Sequence, residues 1–283
     1  MAEACTRVGL DPHGAEPIRL GENAIFRLPH RVVVRVTRPG QFTAAVKEVR
    51  VARWAEQQGV PAVRLVADVD QPIPAAGRAV TFWQELPPHR HGTPTEVAGA
   101  LRLLHSMPTP TEFTLPPLTP FIRLEERITA VTRSDDQAWL RQHLISLRTR
   151  YAELTVGLPH RVLHGDAWKG NVVSTDDGQV VLLDLERCSV GPPEWDLVST
   201  AIKHTSFAWI TIGDYQDFCR SYGHDVTTST SFELLRDIRE LRMTCYAAQH
   251  ANEHPPARTE AGHRIDCLRG RHGARPWAWN PFS

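Results

Sequence analysis

This sequence lacks long apolar runs, a targeting segment and an excess of charge of one sign. No apolar run approaches the roughly 20 residues that a membrane-spanning helix needs, and the first residues show no basic patch followed by an apolar stretch. Basic and acidic residues number 32 each, so the formal net charge is +0. A nucleic-acid-binding protein would show a concentrated basic field. We therefore expect neither a membrane nor a nucleic acid as partner.

Cysteine is scarce and follows no pattern. The five cysteines are an odd number at wide spacings, and no two form a Cys-x-x-Cys pair. Disulfide frameworks and cysteine-based zinc sites both need patterned cysteines. We expect reduced thiols in a cytoplasmic protein, either a monomer or a homodimer. With 283 residues, 41% of them hydrophobic, the chain is long enough for one two-lobed domain or two small ones.

The first third of the chain reads as a small sheet with one helix. Strands are predicted over residues 24–28 and 31–36, which a hairpin joins, and further strands over 63–69 and 79–86. Apolar residues recur at helical spacing from Phe42 to Gln58, and Gly59 ends that helix. The remainder is mostly helical.

Residues 86–92 look like a linker before the helical part of the chain. The next helix should run from Pro94 to His105, with Thr93 as its cap. Residues 124–155 and 200–252 are predicted to be mostly helical, while β-branched apolar runs return in 161–187.

A hairpin is predicted within 161–187. Two apolar runs, 171–173 and 180–183, flank a turn that contains Asp177-Gly178, and Asp-Gly between apolar runs is typical of hairpins. Pairing of these runs would bring Asn171 and Asp184 to the same end of two adjacent strands. Asp166 lies on the loop just before them.

These three side chains are the set that phosphoryl transfer needs. An acidic group must orient the attacking hydroxyl, and hard oxygen ligands must hold Mg²⁺ against the phosphates of a nucleotide. Asp166 fits the catalytic base, and Asn171 and Asp184 fit the metal ligands. Because Mg²⁺ takes only one or two protein carboxylates beside phosphates and water, this sparse set is sufficient.

The order His164-Gly165-Asp166, Asn171, Asp184-x-Glu186 resembles the aminoglycoside phosphotransferase and choline kinase branch of the protein-kinase-like fold. The segment 191–197 is also similar to that family, in which an aspartate at the place of Asp196 opens a helix and braces the catalytic loop. The resemblance covers about residues 17–282.

The resemblance implies an α+β, bilobal protein-kinase-like fold with ATP (or GTP) and Mg²⁺ as cofactors. Residues 1–86 would form a small β-rich nucleotide-binding lobe, 87–92 the hinge, and 93–283 the larger, mostly helical catalytic and substrate lobe. His164 would brace the loop, and Lys169 would either neutralise phosphate charge or be an exposed loop lysine. Glu186 would assist the metal or form a structural ion pair.

The family's nucleotide lobe also has counterparts here. Residues 21–26, which include Asn23, look like its phosphate-covering turn. Arg35 stands where the family often has a lysine that contacts the phosphates, and an arginine keeps the charge. Glu48 matches the acid that orients this basic residue, although Lys47 or Arg50 could equally pair with it.

The family's hinge corresponds to residues 81–86, with Gln84 and Glu85 as nucleotide contacts. Their backbone would hold the adenine, so the identity of their side chains indicates little. The expected function is transfer of the γ-phosphoryl group to a hydroxyl of a small molecule, such as an aminoglycoside antibiotic.

Other acceptors remain open. One is a peptide or protein Ser or Thr in natural-product modification, and another is choline, a sugar or an amino acid, since a fold does not choose among them. A polycationic aminoglycoside would need a carboxylate-lined pocket. The candidate acids for such a pocket are Glu125, Glu126, Asp135, Asp136 and Glu194.

Two further patterns need an explanation. His250, Glu253 and His254 match a reversed zinc-protease motif, which would make the chain a zinc hydrolase. Pro255-Pro256 follows directly and should end the helix that carries it. The C-terminal stretch from Arg258 to Trp279 is rich in arginine and tryptophan, and it is either a substrate contact or a docking tail.

Overall fold

The computed structural model describes residues 1–21, 23–154, 158–251 and 255–281. They divide into two compact units, Met1–Pro116 with Arg161–Val190, and Pro117–His160 with Gly191–Ser283. We call them the sheet unit and the helical unit. Neither is continuous in sequence, and the lobe boundary at 87–92 stays a prediction.

The sheet unit contains all ten described strands and three helices. The strands are β1 (Glu16–Leu20), β2 (Ala24–Leu28), β3 (Val32–Val36), β4 (Ile73–Ala75), β5 (Arg78–Gln84), β6 (His89–His91), β7 (Arg161–Leu163), β8 (Val172–Thr175), β9 (Val180–Leu182) and β10 (Ser189–Gly191), the last of which reaches the unit boundary. The helices are α1 (Ala2–Arg7), α2 (Phe42–Gln57) and α3 (Pro94–Ser106).

A five-stranded antiparallel sheet fills the N-terminal part of this unit, in the order β1-β2-β3-β5-β4. Val34 and Phe82 are fully buried, and they lie opposite each other in the β3–β5 register. Every residue of β1 is exposed, as an edge strand allows. The predicted hairpin and the strand over 79–86 are confirmed within about two residues.

One strand prediction for this region is wrong. Residues 63–69 do not form a strand: Leu65 makes one isolated antiparallel bridge with Trp83 of β5. The two backbone hydrogen bonds beside it join Val66 to Phe82 and Gln84 to Arg64, and this pairing is too short to be a strand. Asp68, with a φ of 58°, turns the chain out of extended geometry. The predicted linker also contains β6, which pairs with β8.

Two of the three helices of the sheet unit lie where the sequence predicts them. α2 buries Ala45, Val49 and Ala52 on one face, at the predicted spacing. α3 begins with the predicted cap, in which Thr93 Oγ1 accepts from the Glu96 amide and the Glu96 carboxylate accepts from the Thr93 amide. α1 was not predicted.

The helical unit contains α4 (Leu124–Thr129), α5 (Ser134–Ala152), α6 (Glu194–Thr205), α7 (Ile212–Tyr222), α8 (Phe232–His250) and α9 (Pro255–Leu268). α8 contacts α4, α5, α6 and α9 and buries Ile238 and Leu241 completely. The described helices include none that is both long enough and apolar enough to cross a membrane. The chain is therefore an α+β protein with antiparallel sheets and a helical C-terminal part.

Candidate active site

The β8–β9 hairpin forms as predicted. Val172 pairs with Leu182, and one residue further the Leu183 amide donates to the Asn171 carbonyl oxygen at 2.9 Å. The turn between the strands uses Gly178 at a φ of 83°. Asn171 therefore lies beside the residue that precedes Asp184, where β8 begins and β9 ends in the three-stranded sheet β6-β8-β9.

His164 connects this end of the β8–β9 hairpin to the loop that carries Asp166. Its Nε2 lies 2.8 Å from the Leu183 carbonyl oxygen, and its Nδ1 lies 3.3 Å from the Asp166 amide. A carbonyl can only accept and an amide can only donate, so the ring must carry its proton on Nε2. The ring is fully buried. These contacts support the predicted bracing role.

Gly165 lets the same loop lie against the turn that follows Asp184. Its φ is 82°, and a Cβ atom there would collide with the Arg187 carbonyl oxygen. Only glycine meets both requirements at low cost. The loop and the 3₁₀ turn Leu185–Arg187 are therefore held in direct backbone contact.

Asn171 is oriented by the loop as well. Its Nδ2 donates to the Asp166 carbonyl oxygen at 3.0 Å, which directs the amide oxygen away from that contact. An amide oxygen is one of the hard ligands that Mg²⁺ accepts. The geometry is thus compatible with the predicted metal-binding role of Asn171.

Asp184 has an unusual backbone conformation. Its φ of 53° and ψ of 65° lie in the left-handed region, which aspartate adopts more readily than most residues. The side chain is 39% exposed. Strained residues of this kind occur often at functional sites.

Arg35 is the centre of a charged cluster that we call the Arg35 cluster: Arg35, Glu48, Asp184, Glu186 and Asn23. Nη1 contacts Glu48 at 2.6 Å and Asp184 at 3.2 Å, and Nη2 contacts Glu186 at 2.5 Å. The Asn23 amide is assigned with its oxygen towards the guanidinium, where it accepts from Nη2 at 2.7 Å and from Nε at 3.2 Å. The expected Arg35–Glu48 pair is therefore present.

The electrostatics of the cluster reflect burial and crowded carboxylates. Burial raises the pKa of the Glu48 carboxyl to about 7, although Arg35 beside it opposes this rise. Burial likewise raises the pKa of Asp184, against the opposing effect of Arg35. Burial alone would lower the pKa of Arg35, but Glu48, Asp184 and Glu186 together raise it. The guanidinium stays charged.

Lys47, which the sequence analysis considered only as a partner of Glu48, makes a contact near the site that the sequence did not predict. It neighbours Glu48 on α2, and its Nζ donates to the Cys188 carbonyl oxygen at 3.1 Å, just after the Asp184–Glu186 segment. Burial lowers the pKa of Lys47. The two residues are 141 positions apart, so no local pattern in the sequence could have revealed the contact.

The oxygen groups near Asp184 suit magnesium better than a transition metal. Nowhere in the described ranges do three or more His, Cys, Asp or Glu side chains form a group that could hold a metal ion. Magnesium needs only one or two protein carboxylates when nucleotide phosphates supply further oxygens. Asn171 and Asp184 fit that requirement.

Gln84 and Glu85 make contacts that bear on their predicted nucleotide role. The Gln84 amide donates to the Arg64 carbonyl oxygen and the Glu85 amide to that of Arg31, both at 2.8 Å. The Glu85 side chain binds Arg27 at 2.5 Å. Contact with adenine stays a prediction, and it would have to use other backbone atoms of these residues.

Two supporting residues retain their predicted roles as hypotheses. Lys169 is exposed in the loop between Asp166 and Asn171. Asp196 lies in the first turn of α6, where it is fully buried, and its Oδ1 is 4.0 Å from Arg239 Nη2. The predicted helix opening at Asp196 is thus present.

The reversed zinc-protease motif is only partly described. His250 is the last residue of α8, and its Nδ1 lies 3.0 Å from the Tyr246 carbonyl oxygen. Glu253 and His254 lie outside the described residues. The motif therefore gains no support.

The C-terminal stretch packs into the helical unit. Trp277 is 6% and Trp279 2% exposed, and the Trp277 amide donates to the Ser206 carbonyl oxygen at 2.7 Å. Arg264 is 1% exposed and contacts Glu260 at 2.7 Å. These contacts favour the docking tail over the substrate contact.

The sequence model of the phosphotransferase enzyme family matches residues 14–240, well over half of the chain. The comparison with curated proteins found no significant match. Among solved structures, a choline/ethanolamine kinase family protein from Mesorhizobium loti is 17% identical, with a TM-score of 0.62 over 95% of this chain and 93% of its own.

Two other solved structures are of enzymes that, according to their names, act on antibiotics. Amicoumacin kinase, in complex with AMP-PNP, Ca²⁺ and its antibiotic, is 14% identical, with a TM-score of 0.65 over 91% of this chain and 89% of its own. An aminoglycoside phosphotransferase from Streptomyces rimosus is 19% identical, with a TM-score of 0.56 over 81% and 92%. At these identities the likeness shows the fold, which is protein-kinase-like.

Proposed function

The chain belongs to the phosphotransferase enzyme family and is a small-molecule phosphotransferase, and we propose that it moves the γ-phosphoryl group of ATP or GTP, with Mg²⁺, to a hydroxyl group of its acceptor. The single observation that carries this proposal is the Arg35 cluster. It gathers a guanidinium and three carboxylates beside the loop of Asp166 and Asn171. Amicoumacin kinase, bound to AMP-PNP and Ca²⁺, supports the choice of cofactors by analogy.

The proposed roles follow from chemistry. The oxygen of the acceptor hydroxyl forms a bond to the γ-phosphorus, and Asp166 accepts the proton of that hydroxyl. The bond between the γ-phosphorus and the β-phosphate oxygen breaks at the same time, so the nucleoside diphosphate leaves. Asn171 and Asp184 would hold Mg²⁺, which would neutralise phosphate charge. Arg35 binds phosphate oxygens through its planar fork. His164 keeps the loop in register with Asp184.

The acceptor is proposed to be a small alcohol with few positive charges. Of the five candidate acids for a polycation pocket, Glu125 binds Arg148 and Glu126 binds Arg123, at 2.7 and 2.8 Å. Asp136 and Glu194 are buried, which leaves Asp135 as the remaining exposed candidate. Carboxylates already neutralised by arginine attract an aminoglycoside weakly, because binding would have to break those pairs.

A further part of the proposal concerns compartment and assembly. The composition and the absence of a disulfide among the five cysteines, all of which the structure describes, support a cytoplasmic location. The chain would act as a monomer or homodimer, with its nucleotide and a small molecule as its partners.

The test is nucleotide consumption with a panel of acceptors: amino alcohols, sugars, amino acids, aminoglycosides and hydroxyl-bearing peptides. We expect Mg²⁺-dependent formation of a phosphorylated amino alcohol, sugar or amino acid, detected by mass spectrometry as well as by ADP release. Activity on peptides alone would establish the protein-kinase alternative, and activity on aminoglycosides alone would contradict the charge argument. No product from any acceptor would contradict the proposal.

A further inference from the structure

We propose that the helical unit contains a second binding site, which takes a small primary ammonium compound with a compact apolar group. The site is the cavity between α6, α7 and the 3₁₀ turn Val226–Thr228. It goes beyond the proposed phosphotransfer, because the described lining residues include none of those assigned to that reaction.

One face of α7 forms a wall of this cavity. Ile212, Tyr215 and Cys219 line it, and their spacing of three and four residues places them on the same side of the helix. His204, in the last turn of α6, and Asp225, after α7, contribute to the other walls. The volume is about 430 Å³, within the range of about 300–1,000 Å³ that small-molecule sites occupy. The cavity can therefore accommodate a small organic ligand.

Asp225 is held at the cavity by neutral donors. Its Oδ1 accepts from the Tyr215 hydroxyl at 2.6 Å, from the Thr227 hydroxyl at 2.6 Å and from the Thr227 amide at 2.9 Å. All three donors use Oδ1, so Oδ2 can accept from a ligand; the Cys219 thiol also lies beside the carboxylate, but a thiol is a weak donor. Although burial opposes it, hydrogen bonds from Thr227 and Tyr215 lower the pKa of Asp225 below its ordinary value. The carboxylate is therefore ionised at neutral pH.

The lack of a cationic partner distinguishes Asp225 from other acids nearby. Several carboxylates of the helical unit each bind an arginine, namely Glu125, Glu126, Asp136, Glu240 and Glu260. In the described ranges, no lysine, arginine or histidine nitrogen lies within 4.0 Å of the Asp225 carboxylate. Arg220, which lines the cavity, is bound to Asp217, and the His224 ring contacts Ser229 at 3.0 Å. An ionised carboxylate without a cation, at the wall of a cavity, attracts a positively charged ligand.

Ile212 supplies the apolar part of the site. It is the first residue of α7 and is 55% exposed, although it lines the cavity. An apolar group bound beside it would remove its side chain from water, which is favourable. The His204 and Tyr215 rings lie nearly parallel, at 13° with 5.6 Å between their centroids, and this stacking holds Tyr215 in place as a donor to Asp225.

These groups together define the class of ligand. A carboxylate and an exposed aliphatic side chain in one cavity suit a molecule that joins a cation to a compact apolar group. A primary ammonium carries three donors on one atom, so it can bind Asp225 Oδ2 and still donate to Gln216, which also lines the cavity. An anion is disfavoured, because the guanidinium of Arg220 is already bound to Asp217.

The test follows the amide NMR spectrum of the isotope-labelled protein during titration with phenethylamine, which is protonated at neutral pH. This probe has no hydroxyl group, so it cannot serve as the phosphoryl acceptor. We expect saturable one-to-one binding, with shifts in the amides of residues 204–227 and not in those of 164–171. Phenethyl alcohol, which has the same shape without the charge, should bind at least about tenfold more weakly, because the charge-assisted hydrogen bond is lost.

Two variants test the two halves of the site. Asp225→Asn keeps an oxygen for Tyr215 and Thr227 but removes the charge, and it should weaken phenethylamine binding at least about tenfold. Ile212→Ser, at an exposed position, should weaken binding about threefold to tenfold through the lost apolar contact. Asp266→Asn is the matched control, since it makes the same change in α9 at a residue that does not line the cavity, and it should bind as wild type does. Circular dichroism confirms the fold of each variant.

No saturable binding of phenethylamine, equal affinity for phenethyl alcohol, or unchanged affinity in folded Asp225→Asn would each overturn the inference. Amide shifts in 164–171 and not in 204–227 would assign the probe to the acceptor site and would overturn it as well. If Asp225→Asn does not fold, the comparison of the two compounds on wild type and on Ile212→Ser decides the question. Phosphotransfer is measured separately by ADP release, so the proposed function stands or fails independently of this site.

Discussion

Two of the buried arginines have sharply different surroundings, Arg35 in the sheet unit and Arg264 in the helical unit. Three carboxylates converge on Arg35. Arg264 has one, Glu260, and its other nitrogens donate to the carbonyl oxygens of Met243 and Asn280. Its guanidinium also lies over the Trp279 ring, 4.8 Å from the centroid.

The Arg264–Glu260 pair and the Arg35 cluster differ in net charge, and this difference indicates different roles. Glu260 is balanced by one guanidinium, and both of its oxygens accept from Asn280 as well, so the group is neutral and satisfied. The Arg35 cluster carries more acid than base, with the Asp184 carboxylate 39% exposed. An excess of partly exposed carboxylate suits a cation that is still to bind, whereas a balanced and enclosed pair suits a structural role.

Arg275 belongs with Arg264 in this comparison. It forms a bidentate pair with the buried Glu240, at 2.8 and 2.6 Å, and lies 4.3 Å from the centroid of the Trp277 ring. Each of the two tryptophans of the tail therefore lies beside an arginine that also binds a buried glutamate. The sequence left a substrate contact and a docking tail open, and these contacts favour the docking tail.

The largest expected effect comes from Asp166→Ala in the sheet unit. It should reduce turnover by roughly 10²- to 10⁴-fold, the usual contribution of a positioned acid–base group, and leave nucleotide binding nearly unchanged. Steady-state kinetics with the acceptor from the panel measure this. Glu260→Gln is the comparison variant, and its turnover at a permissive temperature should stay close to wild type. Turnover of Asp166→Ala within a few-fold of wild type would remove the base assignment.

The next effect should appear in stability and not in catalysis. Arg264→Met leaves Glu260 buried without its cation, which should cost about 3–5 kcal/mol of unfolding free energy. Urea denaturation measures the loss. Turnover per folded molecule should be unaffected, and a specific loss of acceptor binding would return the tail to the substrate site.

Arg35→Ala should raise the KM for ATP by roughly 10- to 100-fold, since a charge-assisted hydrogen bond contributes about 1.5–3 kcal/mol. Arg35→Lys should be milder because it keeps a point charge for the phosphates. Initial rates at varied ATP check both. Equal and negligible effects of the two changes would make Arg35 as structural as Arg264.

The smallest expected effect concerns the Arg90–Glu96 ion pair, which shares no hydrogen bond with the groups around Arg35 or Arg264 among the described residues. Hydrogen bonding to Arg90, together with the Thr93 amide, holds the pKa of Glu96 at about 2, below its ordinary 4.5. The contribution of Glu96 to stability is therefore complete above pH 4.5 and declines as the pH falls towards 2.

Glu96→Gln should accordingly cost about 1 kcal/mol at neutral pH, the size of a lost helix cap. Denaturation of both proteins at several pH values measures the difference, which should shrink as the pH is lowered below about 4.5. A difference that is constant with pH would show that the carboxylate charge is unimportant there.

The sequence predicted local features well. The β8–β9 hairpin, the capped start of α3 and the apolar face of α2 all follow from short-range patterns, namely an Asp-Gly turn, Thr-Pro before a helix and helical spacing. Asp166, Asn171 and Asp184 could be singled out because they fall within one short segment.

Long-range contacts could not be predicted in the same way. The Arg35–Glu186 pair joins residues 151 positions apart, and Lys47 reaches a backbone oxygen that has no signature in the sequence. The segment 63–69 has the composition of a strand, but its pairing with β5 is limited to one isolated bridge at Leu65. Tertiary context overrode propensity at that point.

The most direct test of the account is Mg²⁺-dependent binding of AMP-PNP, measured by calorimetry for wild type, Asp184→Asn and Glu260→Gln. We expect wild type and Glu260→Gln to bind one nucleotide per chain with the same affinity, and Asp184→Asn to lose most of the Mg²⁺ dependence because it lacks the carboxylate charge. Equal, Mg²⁺-dependent affinity in Asp184→Asn would contradict the account, since the metal would then have to bind elsewhere.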